Sequence, residues 1–136
     1  MSTSFEIVRL EPVDTFSLAA TGGPENYPST FQNLEDIVPL KGHKFYGVYN
    51  PKDDSYRACV RPNYGDDTSR WQLDTYLIPG GLYAYKKIIG EHDELTRKIP
   101  GIFDVLAAAN DVDTERPSIE FYRRLDEFRL YLPVKE

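Results

Sequence analysis

Hydrophobic and polar residues alternate along several short stretches of the chain, and twice the alternation gives way to a helical period. FEIVRL (5–10) and TFSLAAT (15–21) read as strands broken by Pro12. GGPENYPS is a loop. Phe31, Leu34 and Ile37/Val38 then recur at helical spacing, with Ser29 or Thr30 available as a cap and Pro39 as a stop. KFYGVYN (44–50) and SYRACVRP (55–62) predict two strands around the turn PKDD, and NYGDDTSR is a polar linker. LDTYLI (73–78), the turn PGG and LYAYKKII (82–89) predict a second pair. In HDELTRKIPGIFDVLAAAN, Leu95, Ile99, Ile102/Phe103 and Leu106 share a helical face, and Pro100 predicts a kink or a fresh start. SIEFYRR (118–124) and EFRLYLPV (127–134) close the chain as a hairpin with a tight turn near Leu125 and Asp126.

The order is strand, strand, helix, strand, strand, and then the same again. Pro12 precedes Phe16 as Pro79 precedes Tyr83, and FYGVY sits in the first half where IEFY sits in the second. The pattern predicts a duplication inside one domain of residues 1–136, with pseudo-repeats at about 5–64 and 71–134. Each half would supply a small antiparallel sheet and one helix. Joined, they make an α+β architecture: one sheet, two helices on one face, and a ligand cleft between the repeats.

Composition narrows the functions. The 136 residues, 40% hydrophobic, suffice for a core. The net charge is −6 and the basic residues are scattered, which argues against a nucleic-acid partner and is compatible with a cationic one. No apolar run approaches a membrane span, and MSTSFEIVRLEP lacks the pattern of a secretory signal. The lone Cys59 excludes an internal disulfide framework and suits a reducing cytoplasm. His43 and His92 stand without ligand-like spacing, and no P-loop, dinucleotide fingerprint or nucleophile elbow is present; no metal or cofactor is expected. The unusual number is the aromatic one: 10 Tyr, 7 Phe and 1 Trp. Sheet packing accounts for most of these rings, and a pocket wall for some.

Within RPSIEFYRR, strand alternation puts Glu120 and Tyr122 on one face and Ile119 and Phe121 on the other. The apolar pair suits the helices, so Glu120 is expected on the open face, either solvated or in a pocket. Tyr83 and Tyr85 likewise share a face, as a sheet stripe or as an aromatic wall. Trp71, after the linker, is placed to wall a cleft. Tyr27 is placed to close its mouth. Tyr46 and Tyr49 fall on opposite faces, so at most one lines it, and Tyr46 is the candidate. Phe31 and Phe103 are expected in the core.

PGGLYAYKKIIG (79–90), the helix after it, RPSIEFY and the final LPV (132–134) together resemble the GyrI-like (gyrase-inhibitor-like) small-molecule-binding family, across roughly residues 5–134. That family includes effector-binding domains of AraC- and MerR-type regulators and free-standing proteins. The resemblance implies a duplicated strand-helix-strand-strand module and an aromatic pocket between the repeats. It also implies a glutamate in an E-x-Y strand, here Glu120 with Tyr122. Some free-standing members are hydrolases that open strained cyclopropane rings. The sequence has no room for a helix-turn-helix unit before its first strand, so it is not expected to act as a regulator by itself. The first helix is also shorter than the family implies.

Three functions follow. The first is uptake of an amphipathic, cationic or aromatic small molecule, using Glu120 for charge and Tyr122, Tyr83, Tyr85, Trp71, Tyr46 and Tyr27 for area. The second is a hydrolase in which Glu120, beside Tyr122 or Tyr83, supplies a general acid or base and positions a water. The third is a protein-interaction role of the gyrase-inhibitor type. The first is favoured.

Overall fold

The computed structural model describes residues 6–136, so the expected strand start at Phe5 lies outside the described residues. Eight strands and two helices follow one another as β1 (Glu6–Leu10), β2 (Val13–Ala19), α1 (Tyr27–Ile37), β3 (Lys44–Asn50), β4 (Ser55–Arg61), β5 (Asp74–Ile78), β6 (Gly81–Ile89), α2 (His92–Ala109), β7 (Ser118–Arg124) and β8 (Glu127–Pro133). This is the α+β arrangement expected. Two local details differ. The first helix starts at Tyr27 rather than after Ser29 or Thr30. Pro28 fits its first turn, where no N–H is required, and the hydroxyls of Ser29 and Thr30 donate to the Asn26 carbonyl. The second helix runs through Pro100 without restarting. Its start is held by Glu91, whose carboxylate accepts from the Asp93 and Glu94 amides.

All neighbouring strands are antiparallel, in the order β1-β6-β8-β7-β3-β4-β2-β5. Exchanging β1 to β4 with β5 to β8 gives the same order read from the other edge. The centre is the β3–β7 pair. Each outermost strand belongs to the opposite half of the chain: β1 pairs with β6 (Ile7↔Ala84), and β5 pairs with β2 (Thr15↔Tyr76).

The sheet cannot be flat. Only Pro79 and Gly80 separate β5 from β6, which stand six places apart in the order. Six strand spacings are about 29 Å, whereas three Cα steps reach about 11 Å. The edges therefore curl toward each other. They close over a cluster of Tyr46, Val48, Cys59, Ile78, Tyr83 and Ile119, packed with Val8, Leu10 and Val13 from the edge regions.

The helices occupy the other face. α1 sets Leu34, with Val38 just beyond it, on Phe45, Ala58 and Val60. α2 sets Leu95 and Ile99 on Phe128 and Leu130, and Leu106 on Ala84 and Leu132. Tyr122 packs in both helix clusters, at the middle of the sheet. Ile119 packs on the face away from the helices and Phe121 beside it, so Glu120 and Tyr122 face the helices. This corrects the expected orientation of β7. The apolar pair did not have to meet a helix, because the curled edges bury the second face as well. Among the described residues no helix is long and apolar enough to cross a membrane.

Candidate functional site

Between α1 and α2, over β3 and β7, lies a cavity of about 1320 Å³. The register sets its floor. Phe45 faces Tyr122 and Gly47 faces Glu120 across the central pair. Tyr56, two strands from Glu120, reaches it over Gly47. The Tyr56 hydroxyl donates to Glu120 Oε1 at 2.8 Å, and the Tyr122 hydroxyl donates to the same oxygen. Gly47 is what permits the crossing: a Cβ there would lie 2.1 Å from the Tyr56 hydroxyl and 2.6 Å from Glu120 Oε1. Around this group the rings lock together. Tyr27 of α1 stacks on Tyr56 with centroids 3.7 Å apart. Phe31 meets Tyr122 edge-on at 5.2 Å, and Phe128 does so from the α2 side at 4.8 Å.

Burial raises the Glu120 pKa above the usual carboxylate range, and the two phenol hydrogen bonds pull it part of the way back. Burial and then the neighbouring Glu120 charge push both phenols well above their ordinary value, so Tyr56 and Tyr122 remain donors. Among the described residues Glu120 has no ion-pair partner. Nearer the edge, the Tyr49 hydroxyl donates to Asp54 at 2.6 Å, and this bond pushes the phenol up to about 12. No group of three His, Cys, Asp or Glu among the described residues is arranged to hold a metal ion.

Of the residues singled out from sequence, Glu120, Tyr122 and Tyr27 line the cavity. Tyr83, Tyr85, Tyr46 and Trp71 do not. Tyr83 lies fully buried on the opposite face, donating to the Pro79 carbonyl at 2.6 Å. Tyr85 shares its side of β6 and stacks on Tyr131 at 5.0 Å. Leu82 and Ala84, not the tyrosines, pack toward α2. Tyr46 stacks on Phe121 at 4.8 Å, away from the helices, and Tyr49 is the β3 tyrosine that lines the cavity. Trp71 packs edge-on against Phe16 at 5.5 Å in the cluster beneath α1. Phe31 and Phe103, expected only as core, also border the cavity. Sequence reasoning missed Tyr56 and Gly47. The available signal was a lone glycine inside an aromatic strand, which marks a close approach.

The sequence profile of the GyrI-like small molecule binding domain matches residues 3–135. The chain belongs to this family. Solved structures share the GyrI-like fold at low identity. An integron cassette protein from the mobile metagenome of Vibrio cholerae aligns at TM-score 0.74 and 12% identity, over 96% of this chain and 95% of that one. The protein SAV2435, solved bound to tetraphenylphosphonium, aligns at TM-score 0.66 and 10% identity, over 98% and 94%. A hydrolase from Listeria innocua aligns at TM-score 0.57 and 14% identity, over 96% and 91%. Among curated protein sequences none matches. The GyrI-like chain is thus a small-molecule-binding domain whose family is shown by its sequence.

Proposed function

We propose that this GyrI-like domain takes up amphipathic cations with aromatic or hydrophobic bodies, and that Glu120 is their counter-charge. One observation carries the reading. A carboxylate sits deep between two helices, held by two phenols and by no cation among the described residues. A charge partly withdrawn from water in this way is less well solvated, and a counter-charge compensates for that loss. A bound cation supplies it, and the surrounding rings add cation–π attraction of about 0.5–2 kcal/mol. The structural neighbour bound to tetraphenylphosphonium, a lipophilic cation, supports the reading. The test is calorimetric titration of tetraphenylphosphonium and a panel of hydrophobic cations into the wild type and Glu120→Gln. Micromolar binding that weakens strongly in the variant is expected. Millimolar or weaker binding throughout, or equal binding by the variant, would falsify the proposal.

A second reading, hydrolysis of a strained electrophilic ring, draws on the same group. A carboxyl of raised pKa beside two protonated phenols places a proton acceptor and two donors in one pocket. Turnover of a cyclopropane-containing substrate, lost in Glu120→Gln, would establish it. A stable complex without product would leave binding alone.

A further inference from the structure

The two oxygens of Glu120 are not equivalent. Both phenols donate to Oε1. Oε2 has no partner among the described residues, yet every buried side-chain oxygen there has one. Oε2 is therefore not sealed off, and it opens onto the cavity that Glu120 lines. A ligand that covers Oε2 removes it from water. A quaternary cation brings charge but no donor, and so leaves an unpaired oxygen behind. A protonated amine or guanidinium brings both.

A second acceptor lies on the α2 wall. Pro100 has no N–H, so the Thr96 carbonyl, one turn earlier, loses its helical partner. Thr96 and Pro100 both line the cavity. An uninterrupted helix would consume that carbonyl; without the Pro100 N–H it is left to another donor, and Thr96 borders the cavity.

We propose that the cavity selects cations bearing N–H groups over quaternary ones: Glu120 Oε2 receives an ammonium or guanidinium N–H, and the Thr96 carbonyl receives a second donor from longer ligands. The proposal rests on the cation-binding reading and deepens it. Its probes are an arylalkyl dimethylamine, its trimethylammonium analogue, and a primary diamine on the same aromatic frame, titrated at neutral pH where the amines are charged. In the wild type the dimethylamine should bind about tenfold more tightly than the trimethyl analogue, the ratio one charge-assisted hydrogen bond gives. That ratio should collapse in Glu120→Gln, a comparison in which the differing hydration of the two probes cancels. Pro100→Ala restores the helical N–H. It should weaken the diamine severalfold and leave the dimethylamine unchanged.

Equal affinity of the dimethylamine and its trimethyl analogue, with the same ratio in Glu120→Gln, overturns the donor preference while leaving cation binding intact. Unchanged diamine affinity in Pro100→Ala overturns the role of the Thr96 carbonyl. Failure of every probe, tetraphenylphosphonium included, overturns the cation reading itself.

Discussion

The two faces of the sheet use tyrosine differently. Tyr27, Tyr49, Tyr56 and Tyr122 line the cavity. Tyr46, Tyr76, Tyr83 and Tyr131 pack in the closed cluster opposite, with Tyr85 stacked at its edge. On the closed face the protein brings its own cations to the rings: Arg116 lies over Tyr83 at 4.8 Å and Arg57 over Tyr76 at 5.4 Å. Among the described residues no such cation lies over a ring of the cavity face. Its two innermost hydroxyls instead converge on one carboxylate. Two rings of the closed face already hold a cation of the protein's own, and on the proposed reading the cavity rings receive theirs from a ligand.

That contrast can be broken from either side. The largest effect is expected on the closed face. Tyr83→Ala removes a fully buried ring and should cost about 3–5 kcal/mol of stability by denaturant unfolding. The protein that remains folded should bind cations with unchanged affinity, and a parallel loss of affinity would dissolve the distinction. Next comes Glu120→Gln, which should weaken cation binding by about 2 kcal/mol, or roughly thirtyfold, in calorimetry.

The same variant has a signature in pH. The Glu120 pKa is raised on folding, so the folded state holds that proton more tightly than the unfolded state. The contribution to stability is full below the unfolded pKa and is lost as pH rises through the raised folded value. Glu120→Gln should remove this fall. In the wild type, cation affinity should rise with pH across the same window, because binding favours the ionised carboxylate.

Gly47→Ala tests how the carboxylate is held. The added methyl meets the Tyr56 hydroxyl and Glu120, and overpacking of this kind costs about 1–3 kcal/mol. It should lower cation affinity as well, whereas a stability loss with intact affinity would mean that the Tyr56–Glu120 bond is dispensable. The smallest effect belongs to Tyr56→Phe. It removes one hydrogen bond, about 1 kcal/mol, and the Glu120 pKa should climb further because that bond lowers it. Carboxyl chemical shifts followed through a pH titration would detect the climb.

Alternation made the pairings legible: Glu120 with Tyr122, Tyr83 with Tyr85, Tyr46 apart from Tyr49. It did not say which set meets the helices. Apolar character usually decides that, and here it could not, because the curled edges cover the second face too. The curl itself depends on β1 lying beside β6 and β5 beside β2. No local pattern records those pairings. The strand order along the chain was legible for the same reason that the order across the sheet was not. The first is a local property, and the second is set by contacts between distant segments. Tyr56 was missed because its importance comes from reaching over Gly47 to a third strand, a relation that exists only after β3, β4 and β7 are side by side.

The exchanged edge strands bear on how the molecule comes into being. Ile7 waits for Ala84 before it has a neighbour, and the hydroxyl of Tyr56 waits for a carboxylate 64 residues downstream. During synthesis the first half leaves the ribosome with part of its aromatic wall and without Glu120. Neither half alone contains a site. On the proposed reading, cation binding is all-or-none with respect to chain completion, and a truncated product is expected to be blind to the ligand rather than weakly responsive to it.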